Sequence, residues 1–119
     1  MFPKEAIKER TEFNKELYEK LFQKTGKPKK ILDLGCGLHP ITFPYTNIYY
    51  IAADIGQKNL RKVKKHFKKN KIKGEILNID LNKEIPKSKA DITFLFKILD
   101  QLPRKRVAEV ISNAASKCI

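Results

Sequence analysis

Cysteine is scarce in this chain: Cys36 and Cys118 are the only two. A single distant pair gives no disulfide framework, and no Cys-x-x-Cys or Cys/His ligand spacing offers a metal site. The natural expectation is a reduced, cytoplasmic setting. Long apolar runs are missing as well. None approaches the roughly 20 residues that cross a bilayer, and Met1-Phe2-Pro3-Lys4-Glu5 carries no signal-peptide h-region. A membrane is therefore not an expected partner. Low-complexity segments and internal repeats are also absent. Acidic residues are few, with 13 Asp and Glu against 26 Lys and Arg, for a net charge of +13. Between Lys58 and Lys73 there are nine Lys/Arg and no acid. Codon usage in an AT-rich genome accounts for a general excess of lysine. Clustering of this density points further, to solvent or an anionic partner such as a nucleic acid backbone.

What remains is an ordinary globular composition, 41% hydrophobic and 33% charged over 119 residues. That length makes one domain, burying about two-thirds of its unfolded surface. Residues 4–24 read as an amphipathic helix, with Ile7, Phe13, Leu17 and Leu21 at helical spacing and Tyr18 and Phe22 widening the stripe. Thr25-Gly26-Lys27-Pro28 stops it. Lys30-Ile31-Leu32-Asp33-Leu34 is a short strand that opens into glycines. Pro40 and Pro44 keep any helix in 38–47 short. Residues 48–53 form a second strand ending at Asp54. A helix over 57–70 follows, with Leu60, Val63 and Phe67 on one face, and Gly74 is expected to break it. Residues 75–79 make a third strand ending at Asp80, and 90–96 a fourth. A last helix begins near Pro103, placed as an N1 proline, with Val107, Val110, Ile111 and Ala114 as its stripe. Lys117-Cys118-Ile119 resembles the approach to a fifth strand.

Strands alternating with helices imply an α/β, doubly wound, Rossmann-like parallel sheet of order 3-2-1-4, truncated before strand 5. Residues 1–26 are the N-terminal helix and 27–119 the half-domain. Ligands in such folds sit at the carboxyl ends of the strands, beside the switch point. Three features meet there. Gly35-Cys36-Gly37 lets the backbone turn and approach a ligand without a Cβ in the way. Asp54 can accept both hydroxyls of a ribose. Asp80 can reach an adenine edge. Singly each is weak, because a strand-end Asp is often only a turn residue. Dinucleotide enzymes require a third glycine at position 40, where this chain has proline. No GxxxxGK[ST] phosphate loop occurs. His39 and His66 have no partners at triad or metal spacing and read as loop or surface residues.

Ile31-Leu32-Asp33-Leu34-Gly35-Cys36-Gly37 resembles motif I of the class I S-adenosylmethionine-dependent methyltransferases. More narrowly, the chain resembles the aminoglycoside-resistance ribosomal RNA (guanine-N7) methyltransferases and their archaeal relatives. Gly37-Leu38-His39-Pro40 is similar to their Gly-Leu-Asn-Pro, and Ala53-Asp54-Ile55 to their acidic second motif. Phe94-Leu95-Phe96-Lys97-Ile98-Leu99 is similar to their segment after strand 4, and Lys8-Glu9-Arg10 with Leu17-Tyr18 to their N-terminal helix.

The resemblance implies S-adenosylmethionine as cofactor and ribosomal RNA, or a ribosomal subunit, as partner. It implies that Gly35 and Gly37 line the methionine moiety, with Cys36 contributing backbone and Arg10 placed for the cofactor carboxylate. Asp54 would hold the ribose, Asp80 and Leu81 would border the adenine, and Asp33 and Ile55 would be further cofactor-binding residues. Phe96 and Lys97 would lie near the transferred methyl group. The plainer alternatives are a core position for Phe96, a solvated Lys97 and a surface charge for Arg10. No metal site is implied. The absence of an Asn/Asp-Pro-Pro-Tyr loop after strand 4 argues against exocyclic-amine methylation. Class I enzymes have seven strands and this chain stops short of the fifth, so three readings stand open: a fragment of a longer protein, one half of a split enzyme whose second chain supplies strands 5–7, or a homodimer. Two other functions fit the same residues: a non-catalytic basic RNA-binding module, and a small-molecule methyltransferase.

Overall fold

A computed structural model describes residues 4–86, 89–96, 102–114 and 117–118. Its elements, in chain order, are α1 (Lys4–Thr25), β1 (Lys30–Leu34), α2 (His39–Thr42), β2 (Tyr49–Asp54), α3 (Gln57–Asn70), β3 (Gly74–Asn78), β4 (Ile92–Phe94), α4 (Arg104–Ala114) and β5 (Lys117–Cys118). The strands pair in parallel in the order β3-β2-β1-β4-β5. The expected 3-2-1-4 order holds, and Ile92↔Lys117 and Thr93↔Cys118 add the first paired residues of a fifth strand.

The sheet is covered on both faces, which is why β1 and β2 each bury four consecutive residues instead of alternating. Side chains still divide by the two-residue period of a strand. Ile31, Tyr50, Ala52, Ile92 and Phe94 meet Tyr18 and Phe22 of α1, Phe43 after α2, and Leu60, Val63 and Phe67 of α3. Leu32, Leu34, Ile51 and Ala53 meet Leu81, Leu95 and Val110 of α4 on the other side. Asp91 fixes the start of the central pair. Its carboxylate accepts the backbone N–H groups of Lys29 (2.8 Å) and Lys30 (3.1 Å), and its own N–H donates to the Lys30 carbonyl.

Four details differ from the pattern read in the sequence. In α1 the buried stripe is rotated: Phe13 and Leu17 are 65% and 53% exposed, whereas Tyr18 and Phe22 enter the core. The Tyr18 ring packs at 5.1–5.7 Å from Phe22, Phe43 and Phe94. Asn14 donates to the carbonyl and the hydroxyl of Thr42 at 3.2 Å. Satisfying those polar groups fixes the rotation of the helix. In α3 the stop comes at Lys71, not Gly74. Lys71 adopts φ 55°, ψ 40°, and its N–H caps the Phe67 carbonyl. Gly74 instead opens β3, where a Cβ would run into the Tyr50 carbonyl of β2. In α4 Val110 is buried but Ile111 is 46% exposed, and the side chain of Ala114 lies outside the described residues. The Pro103 carbonyl accepts the N–H groups of Arg106 and Val107, which makes Pro103 the N-cap and not the first helical residue. Finally, β4 is three residues long, shorter than the expected 90–96.

The left-handed Lys71 gives a direct test. Lys71→Gly and Lys71→Ala remove the same charge, but only glycine adopts φ 55° without a Cβ penalty. Urea unfolding is expected to find the glycine variant more stable than the alanine variant by about 1 kcal/mol.

Candidate functional site

The strand β1 runs straight into the glycine turn. The Cys36 N–H donates to the Ala53 carbonyl at 3.0 Å, so the β1–β2 ladder continues one step past Leu34. Gly35 and Gly37 then take φ of 64° and 54°, the left-handed region that L side chains resist. The turn leads into α2, with Pro40 in its first turn. The result is a bare stretch of backbone at the carboxyl edge of the sheet, directly over the switch point between β1 and β4.

Cavities open on both sides of Gly35. The larger, about 400 Å³, lies between α1 and the turn; Arg10, Asn14, Leu17 and Tyr18 of α1 face Asp33, Gly35, Cys36, His39 and Phe96 across it. The smaller, about 220 Å³, is lined by Gly35 with Asp54, Ile55, Ile79, Asp80, Leu81, Asn82 and Leu102. The candidate residues thus divide into two groups with Gly35 in common. Arg10, Asp33, Cys36 and Phe96 belong to the first cavity, and Asp54, Ile55, Asp80 and Leu81 to the second. Gly37 lines neither; it turns the chain behind the wall. Lys97 lies outside the described residues.

Phe96 is 46% exposed and stacks on the fully buried Phe94, 4.8 Å between centroids. Phe94, and not Phe96, is therefore the core residue of this strand. Asp54 makes no side-chain hydrogen bond or ion pair among the described residues, and its Oδ2 lies near Gly56. Asp80 does serve a turn, since its Oδ1 accepts the Asn82 N–H at 2.9 Å, which leaves one oxygen for other use. The Arg106 guanidinium reaches from α4 to the Leu81 carbonyl and pairs with Glu109 at 2.7 Å, so α4 pins the wall of the second cavity.

Under the larger cavity lies a polar network that the sequence did not announce. Asp33 is 1% exposed. Its Oδ2 accepts the Tyr50 hydroxyl at 2.5 Å and contacts His39 Nδ1 at 3.1 Å. His39 Nε2 meets the Tyr18 hydroxyl at 2.8 Å. A neutral imidazole protonated at Nδ1 donates to Asp33 and accepts from Tyr18, which satisfies every member. Burial, reinforced by the Asp33 charge, pushes both Tyr18 and Tyr50 above the ordinary tyrosine range. His39 is accordingly no loose loop residue. It joins α2 to α1 and to the sheet and lines the cavity. One signal was available: Arg10, Asn14 and Tyr18 recur every four residues, a polar line on the face of α1 that carries the buried tyrosine. The described residues hold no cluster of metal-ligating side chains.

Residues 3–112 match the ribosomal RNA methyltransferase (FmrO) family. The chain belongs to that family. A 16S rRNA (guanine(1405)-N(7))-methyltransferase of Proteus mirabilis is 29% identical over 109 residues, covering 87% of this chain and 39% of that protein. The FmrO-family chain therefore spans about two-fifths of the length of that relative. The solved 16S rRNA methylase RmtB superposes with a TM-score of 0.73 at 22% identity, over 92% of this chain and 46% of RmtB. The methyltransferase RmtF, solved in complex with S-adenosyl-L-homocysteine, superposes with a TM-score of 0.70 at 23% identity, over 93% of this chain and 45% of RmtF. These likenesses establish the fold.

The buried tyrosines of this FmrO-family chain predict its alkaline behaviour. Their native pKa values lie above the unfolded value near 10. The stability they contribute is complete below that pH and is lost as pH rises above it. Titration of tyrosinate absorbance is expected to leave Tyr18 and Tyr50 un-ionised until circular dichroism reports unfolding. Smooth titration of all four tyrosines in the folded chain would contradict the network.

Proposed function

We propose that this chain is the S-adenosylmethionine-binding part of a methyltransferase acting on guanine N7 of ribosomal RNA. The observation that carries the reading is the pair of cavities meeting at Gly35, with an Asp54 carboxylate unpartnered among the described residues in one and a wall of Tyr18, His39 and Phe96 rings in the other. The family match, the name of the Proteus mirabilis relative and the ligand of RmtF point the same way.

The residues fit such a ligand. The Asp54 carboxylate has free lone pairs for two ribose hydroxyls. The second Asp80 oxygen can accept from an exocyclic amine, and Ile55 and Leu81 offer apolar contact to a purine face. On the other side of Gly35, the left-handed turn exposes backbone for the amino-acid end, and Arg10 supplies a cation for a carboxylate. The aromatic rings, with the Asp33 charge beneath them, favour a positively charged centre. When bound, S-adenosylmethionine supplies a methyl group on a sulfonium sulfur, activated for in-line displacement. Guanine N7 has a lone pair and needs no general base, so the chain's task is to hold both reactants in line and to exclude water. We assign that task to Phe96 and Lys97, with Gly37 shaping the turn and Cys36 contributing its backbone. A ribosomal substrate would be met in the cytoplasm, and that is the localisation we propose.

Calorimetric titration of the 119-residue chain with S-adenosylmethionine and with S-adenosylhomocysteine tests this. Both are expected to bind, and Asp54→Ala to weaken both at least tenfold, the cost of lost charge-assisted hydrogen bonds. No heat at millimolar cofactor would sink the reading.

A further inference from the structure

The cation cluster lies on one helix, and the fold shows where that helix points. In α3, Leu60, Val63 and Phe67 are buried against the sheet, while Lys58, Arg61, Lys64, Lys65, Lys68 and Lys69 are exposed along about 16 Å of axis. Lys71, in its left-handed cap, and Lys73 extend the row. Among the described residues, none of these cations pairs with a carboxylate.

Helix electrostatics do not explain the arrangement. Cations near a helix C-terminus complement its dipole, which accounts for Lys68 and Lys69. Lys58 and Arg61 lie at the opposite, positive end, where the first turn carries no acid. Lys58–Lys62, Arg61–Lys65, Lys64–Lys68 and Lys65–Lys69 are like-charge pairs at four-residue spacing, each of which destabilises an isolated helix. The sequence keeps these charges against the preference of its own helix, and an anionic partner removes that conflict.

Two further features indicate the partner. A groove of about 280 Å³ runs between α3 and the edge strand β3; Arg61 and Lys64 flank it, Leu60 and Ile76 form its floor, and Gln57 and Asn78 close it. The closed end of the groove lies at the carboxyl edge of the sheet: Asn78 pairs with Asp54 in register and donates to the Asp54 and Ile55 carbonyls, beside the smaller cavity. Moreover, α1, α2 and α3 cover the same face of the sheet, with α2 touching both of the others. The basic helix and α1, which walls the cavity lined by Phe96, therefore lie on the same face of the sheet.

We propose that the exposed face of α3 and the groove beside β3 form a sequence-independent docking surface for an RNA sugar–phosphate backbone, which holds the RNA while a base is presented at the Phe96 cavity. This rests on the RNA methyltransferase reading and deepens it by naming the surface. The seated apolar stripe of α3 argues against a membrane, since no apolar face is left to insert.

The test uses the full chain and a fluorescein-labelled stem–loop RNA, titrated at several salt concentrations. Each phosphate contact contributes about 0.7–0.9 to the slope of log affinity against log salt. Replacing Arg61, Lys64, Lys65 and Lys68 by glutamine is expected to reduce that slope by about 3 and to weaken binding at 0.15 M salt at least tenfold. S-adenosylmethionine affinity should be unchanged, and the thermal midpoint should rise as like charges are removed. The control replaces the exposed Lys15, Lys20, Lys24 and Lys29 by glutamine, the same change in net charge, and is expected to shift the slope by less than 1. An unaltered slope in the α3 variant, equal losses in both variants, or equal affinity for phosphatidylserine vesicles and RNA would each overturn the proposal. If S-adenosylmethionine binds and RNA does not, the docking surface fails alone; if neither binds, the methyltransferase reading fails with it.

Discussion

One buried carboxylate organises this structure. Asp33 sits in the central strand, on the face covered by α1, α2 and α3, and a charge in that position is tolerated only when its hydrogen bonds are met. Tyr50 meets them from the neighbouring strand and His39 from the turn, and Tyr18 then ties His39 to the N-terminal helix. Four elements distant in sequence are joined through one side chain. Three of them, through Tyr18, Asp33 and His39, also line the larger cavity. The polar network that fixes the fold is therefore the same one that shapes the site, and neither can change without the other.

The arrangement gives the two sides of Gly35 different characters. On one side the walls are aromatic and rest on an anion. On the other a free carboxylate at a strand end faces apolar residues, and a turn closes the space under the tether of Arg106. Glycine is required between them because the backbone itself is the partition, and any side chain there would occupy one cavity or strain the turn. A ligand that reaches both cavities must cross the backbone at Gly35.

The sheet order, the glycine turn and the strand-end acids were legible because they depend on local periodicity and on backbone geometry. The rotation of α1 was not. Phe13 and Leu17 match helical spacing as well as Tyr18 does, and what decides between them is a histidine and a threonine more than 20 residues away. Lys71 escaped for a related reason. A sequence reader looks for glycine at a left-handed cap, while the chain spends its nearby glycine where β3 presses on β2. His39 looked unoccupied because its partners come from α1, β1 and β2 and share no spacing with it. Local signals announce elements, whereas the contacts that orient them are set by tertiary neighbours.

The clamp by Asp91 has a bearing on how the chain acquires its shape. Strand β1 lies between β2, reached early, and β4, whose clamp on Lys29 and Lys30 spans 61 and 62 residues. During synthesis from the N-terminus, the ribosome releases α1 to β3 first, leaving β1 as an open edge with unpaired backbone groups. Closing that long loop is slow compared with helix formation, because its entropy must be met before any reward. Nascent chains thus pass through a stage in which the floor of the future site is a sticky border.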